Sequence, residues 1–148
     1  MIQGALAYAG HDHEQCVRAL MSRAEHACEE RKLRFTPQRR CVLEIVGSGH
    51  TAIGAYDILG RLGGGERVLA PVLVYRALDF LVRLGLVHRI ESLNAYVACQ
   101  AACHGGWAQL LICQRCHGVA ELSSPAIHDA IAAGAAAADF CDAADRRD

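Results

Sequence analysis

PVLVYRALDFLVRLGLVHRIESLNAYVAC, residues 71–99, places two structural periods back to back. In its first half Val74, Leu78, Leu81 and Val82 recur at the spacing of one helical face, while Arg76, Asp79 and Arg83 fall on the other. Pro71 suits the first helical position and Gly85 the residue beyond the last turn. In the second half LVHRIE and AYVAC, both rich in β-formers, flank turn residues 92–94 and read as a hairpin. The stretch predicts a helix that runs directly into a two-stranded hairpin.

Upstream, the pattern is helical and punctuated by turns. Cys16, Leu20, Ala24, Ala27 and Cys28 predict an amphipathic helix from residue 13 to about residue 31. In LRFTPQRRCVLEIVGSG, Thr36 is a natural N-cap, Pro37 fits the first turn, and Gly47 and Gly49 close a helix whose buried stripe is Val42, Leu43, Ile45 and Val46. AIGAYDILGRLGGG predicts a third, short helix closed by residues 63–65. Helices followed by a hairpin make a winged helix, whose last helix enters the DNA major groove while the wing and neighbouring basic residues touch phosphates. The charge agrees: residues 31–90 carry ten Lys/Arg against four Asp/Glu, a net +6, whereas residues 99–148 carry three against six, a net −3. Only the first segment suits a polyanion.

Chain length, 148 residues, fits one ordinary domain or two small ones and needs no disulfide staples. MIQGALAYAG has neither a basic n-region nor a long apolar run, and no stretch reaches the ~20 apolar residues of a membrane span. A cytoplasmic protein with reduced thiols is therefore expected, and its eight cysteines point to metal or redox chemistry rather than a disulfide framework. Cys113 and Cys116 in CQRC would act as a redox pair if they opened a helix after a strand. Here LLIC and GVAEL read instead as two strands joined by the CQRCHG turn, so two thiolates on a tight hairpin would take half of a tetrahedral zinc site.

LRFTPQRRCVLEIV, GAYDILGRL, VYRALDFLVRLGLVHRIESLNAYVAC and LLICQRCHGVAEL follow one another in an order and spacing that resembles the ferric uptake regulator superfamily, most nearly its zinc uptake branch. The resemblance covers roughly residues 14–140. It implies an α+β protein: a winged-helix DNA-binding domain over residues 1–98, with residues 1–12 a disordered tail, then a small α/β metal-binding dimerisation domain over 99–148. It further implies a zinc-responsive repressor that binds double-stranded operator DNA as a zinc-loaded homodimer, controls zinc-uptake genes, and has no membrane partner and no small-molecule substrate.

Matched residue by residue, the resemblance assigns a regulatory zinc to His88, Cys99, His104 and Glu121. One thiolate, two imidazoles and a carboxylate suit zinc, and the soft sulfur disfavours magnesium, calcium and manganese. Tyr56 and Arg76 match base-contacting positions, with Tyr75, Arg39 and Arg40 as further groove or phosphate contacts; Tyr75 is equally readable as a core-packing residue. A guanidinium can bridge guanine O6 and N7, and a tyrosine ring can pack on a thymine methyl.

The chain departs from the family pattern in three places. Relatives read PPTVYRAL where this chain has PVLVYRAL, so Leu73 replaces a threonine able to cap the recognition helix, a change worth ~1 kcal/mol. Relatives often carry HxH where this chain has His104, Gly105 and Gly106, which leaves Cys103 as a further donor. They also complete the CQRC site with a second CxxC, whereas only Cys141 is available here, with His117, water or a partner chain as the fourth ligand. The dimerisation domain is thus read as incomplete, and His11 and His13 as parts of the disordered tail. Catalysis is not expected, because no oxyanion motif, phosphate loop or HExxH accompanies the thiols. The competing reading is a winged-helix regulator that senses thiol oxidation, or iron, through the same cysteine cluster.

Overall fold

The computed structural model describes residues 12–63, 70–100 and 109–140. Four helices come first, α1 (His13–Arg31), α2 (Pro37–Gly47), α3 (Ala55–Leu62) and α4 (Pro71–Arg83). They are followed by a hairpin of β1 (Val87–Ile90) and β2 (Ala95–Ala98), a second hairpin of β3 (Gln109–Ile112) and β4 (Val119–Leu122), and a final helix α5 (Pro125–Ala137). The fold is α+β, with the winged helix that the sequence predicts.

Local chemistry sets the element ends. Thr36 accepts a hydrogen bond from the Arg39 backbone N–H at 3.3 Å, so the α2 cap is the expected one. Asp12 does the same for α1 through the N–H of Glu14. His13 is therefore the first residue of a capped helix, and its ring stacks on that of His50. That corrects its assignment to a disordered tail; His11 lies outside the described residues. On α4 the cap position is Ala70, which has no side chain to bond, while Leu73 sits inside the first turn. The helix start is uncapped as expected, but at Ala70 rather than at Leu73.

One core binds the helices to the first hairpin. Val42, Leu43, Ile58, Leu78 and Leu81 are fully buried, together with Leu20, Ala24, Val74, Leu86, Val87 and Tyr96. Each large aliphatic side chain so buried contributes roughly 1.5–3 kcal/mol. Helices α1 and α2 approach so closely that a Cβ on Gly47 would lie 2.7 Å from Leu20. At Gly85 the chain reverses from α4 into β1 with φ +73°, a conformation glycine adopts without strain. The wing then pairs Val87 with Ala98 through to Ile90 with Ala95 in antiparallel register, closed by a single 3-10 turn and by Asn94 in the left-handed region.

The second hairpin pairs Gln109 with Leu122 through to Ile112 with Val119. It docks on the first unit through a small separate cluster of Ile90, Val97 and Val119. The Val119 N–H also donates to the His50 carbonyl at 2.8 Å, and Thr51 bridges to Gly118. This docking carries β4 up to the back of the wing. Among the described residues no helix is long and apolar enough to cross a membrane.

Candidate metal centre

Three elements deliver three donors to one point. His88 is the second residue of β1, Cys99 directly follows β2, and Glu121 lies on β4. Their ligand atoms all lie within 4.8 Å of one another. His88 Nε2 is 2.6 Å from Glu121 Oε1, and the Cys99 thiol is 3.9 Å from Glu121 Oε2. Zinc–ligand bonds of ~2.0–2.3 Å at tetrahedral angles place donor atoms ~3.3–3.8 Å apart, so the cluster needs only small adjustments to accept an ion. Cys99 and Glu121 are buried, and a buried carboxylate requires compensating positive charge. His88 supplies it here. Its pKa is pushed up to about 9, first by the hydrogen bond to Cys99 and then by that to Glu121, against the opposing pull of burial.

Surrounding groups fix the donors. The Gln100 N–H donates to Glu121 Oε2 at 3.2 Å, and the Cys99 N–H to the Leu86 carbonyl at 2.9 Å. From α1 the Arg23 guanidinium donates to the Cys99 carbonyl, and the Gln100 side chain meets Nδ1 of the buried His50. Sequence reading missed Arg23, His50 and Gln100. The first contact spans 76 residues and the second 50, so no local spacing announces either.

The ferric uptake regulator family model matches residues 30–143, well over half of the chain. The chain belongs to the ferric uptake regulator family. Zinc uptake regulation proteins of Escherichia coli (strain K12) and Shigella flexneri are each 40% identical to it over 111 residues, covering 74% of this chain and 65% of those proteins. The chain thus matches somewhat under two thirds of their length. Among solved structures, a zinc uptake regulator complexed with zinc and DNA superposes with a TM-score of 0.75 at 38% identity, covering 84% of each chain. Holo XcZur gives 0.69 at 37% identity, covering 88% of each. Apo XcZur gives 0.57 at 38% identity, covering 86% of this chain and 88% of that one.

In this family member the remaining expected site residues fall into four groups. His104, Cys103 and Cys141 lie outside the described residues. Cys113 and Cys116 stand exposed at the tip of the β3–β4 hairpin, on a tight turn in which the His117 N–H donates to the Cys113 carbonyl at 2.9 Å. They are joined by strands on both sides, as expected, and no helix starts at the pair. The backbone N–H of Cys116, then that of Arg115, hold the Cys113 thiol below the usual thiol range. Amide groups aimed at sulfur favour the thiolate that a metal needs.

The third group faces outward on α3 and α4. Tyr56 is 74% exposed, and Val72, Tyr75 and Arg76 lie on the solvent side of α4. Tyr75 is thus a surface residue and not part of the core. Arg39 and Arg40 are occupied within the chain. Arg39 lies 3.5 Å over the Phe80 ring and donates to the Arg34 carbonyl, while Arg40 pairs with Glu25 at 2.6 Å.

Proposed function

We propose that this chain is a zinc-responsive transcriptional repressor that binds operator DNA as a zinc-loaded homodimer in the cytoplasm and controls zinc-uptake genes. The observation that carries the reading is the convergence of His88, Cys99 and Glu121, within 4.8 Å, on a seam between the wing and the second hairpin. His104 is assigned as the fourth regulatory ligand, and Cys113, Cys116 and Cys141 as the incomplete structural zinc set. Residues 1–98 are assigned as the DNA-binding unit and 99–148 as the dimerisation unit. The boundary between them falls at Cys99, the donor that immediately follows the wing.

Bound zinc would supply a fixed crosslink across this seam. The residues do the rest. Glu121, fixed by the Gln100 N–H, holds the second hairpin against the back of the wing, and His88 and Cys99 hold the wing against Glu121. Such a crosslink favours one relative placement of the two units, and hence one spacing of the paired recognition helices, a population shift toward the DNA-competent dimer. The closer superposition on holo than on apo XcZur supports this reading. On α4, Arg76 is assigned to a guanine and, on α3, Tyr56 to a thymine methyl, with Tyr75 beside them. Arg39 and Arg40 contribute positive potential near the backbone from their intrachain positions. Regulators of this family are not enzymes, and no catalytic role is assigned.

One experiment tests the whole reading. Duplexes from zinc-uptake promoters of the source genome are titrated with protein at fixed salt over a range of buffered free zinc. Binding that appears with zinc and vanishes with chelator is the expected result; binding indifferent to zinc rejects it. The exposed Cys113, with its lowered pKa, favours one alternative, a thiol-oxidation sensor. Reversible loss of DNA binding with oxidant, without zinc dependence, would select that alternative, and a response to iron alone would select an iron sensor.

A further inference from the structure

Gln100 touches the metal cluster from outside the donor set. Its backbone N–H is held by Glu121 Oε2 at 3.2 Å, so a ligand orients it. Its side-chain amide meets Nδ1 of His50, a residue only 8% exposed in the connection between α2 and α3. His50 is anchored a second time, because its carbonyl accepts the Val119 N–H from β4, the strand that carries Glu121. Its ring is also stacked on His13, with centroids 4.6 Å apart. The α2–α3 connection is therefore gripped by both sides of the metal cluster. Beyond it the chain pairs Ile53 with Tyr96 of the wing and enters α3, which carries Tyr56 and packs Ile58 into the same core as Val74 of α4.

We propose that Gln100 and His50 are a positioning pair that transmits metal loading to the DNA-reading helices, an inference that rests on the zinc-coupled DNA binding proposed above. Neither residue is a ligand in this scheme. Ordering of Glu121 by an ion fixes the Gln100 backbone, the Gln100 side chain fixes His50, and His50 fixes the start of the connection that sets the attitude of α3. A buried imidazole needs a polar partner, which is why the contact persists and why its loss is felt in the connection first.

The test separates zinc binding from its coupling to DNA. Operator affinity is measured with zinc and with chelator for wild type, Gln100→Ala, His50→Leu and the double variant. Zinc affinity without DNA is measured by competition with a chromophoric chelator. Gln100→Ala keeps the backbone N–H to Glu121 and alters an exposed side chain, so its zinc affinity without DNA should stay within about twofold of wild type. Its zinc-induced gain in operator affinity should fall about tenfold, with zinc-free DNA binding unchanged. By linkage, operator DNA should raise zinc affinity less in the variant, by that same factor. The double variant should be no worse than the worse single one, as expected for partners in one contact. Full retention of the zinc-induced gain in Gln100→Ala, or an equal loss with and without zinc, overturns the pair's role. A wild-type protein whose operator affinity ignores zinc overturns the proposed function as well, which distinguishes the two failures.

Discussion

Replacing the sulfur of Cys99 by oxygen changes the donor and almost nothing else, because the side chain is 1% exposed and serine fits its space. Cys99→Ser should abolish zinc-triggered operator binding while circular dichroism reports the same helix content, and an unchanged zinc response would remove Cys99 from the sensor. His88 makes a second prediction, with a definite sign. Its metal-free pKa of about 9 means that near neutral pH a proton must leave before Nε2 can become a ligand. Zinc affinity should therefore rise between about pH 6 and about pH 8, by about tenfold per unit for each proton displaced. Competition titrations at several pH values would check it; a flat profile would exclude His88. In the zinc-free protein the sense is reversed: the pKa is raised on folding, so protonated His88 stabilises the fold fully below its ordinary range, and this contribution is lost as pH rises through about 9.

At the scale of the element, α4 combines a weak start with an exposed face that carries Tyr75 and Arg76. Ala70→Ser should give its first turn a cap and raise stability by about 1 kcal/mol in urea unfolding, where no change would mean that the turn is satisfied otherwise. Arg76→Ala should weaken specific binding by ~1–3 kcal/mol relative to scrambled DNA, since a base-reading guanidinium carries discrimination whereas a phosphate contact weakens all sequences alike. Elements of this kind were legible in the sequence because their signals are local: Thr36 before Pro37, Gly85 after the apolar stripe of α4, β-formers around residues 92–94. His88, Cys99 and Glu121 became readable as a set only through the family resemblance, since they lie on two hairpins whose docking depends on Ile90, Val97 and Val119. Arg23, His50 and Gln100 stayed invisible, because their contacts join α1 and the α2–α3 connection to the residues after β2 across 76 and 50 positions of sequence. Arg39 and Arg40 were legible as charges, but their partners Phe80 and Glu25 come from packing on neighbouring helices.

For the whole molecule, the described residues beyond the first unit also present exposed apolar surface. Helix α5 buries none of its residues, and Ile131 at 53% and Leu111 on β3 at 49% are exposed, while the described part of the first unit encloses a continuous core. A homodimer would cover such apolar surface, and self-complementary packing about a two-fold axis would present two recognition helices to two half-sites. Leu111→Asp combined with Ile131→Asp should therefore shift the protein from dimer to monomer in sedimentation. Operator affinity should fall with it, because losing one half-site removes a second, effectively intramolecular contact. Zinc binding at His88, Cys99 and Glu121 should survive, since these three donors come from a single chain. A variant that stays dimeric would place the interface elsewhere, and a monomer that keeps full operator affinity would show that DNA binding does not need the pair. The contrast matters physically: intact zinc binding with lost operator binding would locate the switch in the relative placement of two subunits, whereas loss of both would mean that the metal centre itself is completed across the interface.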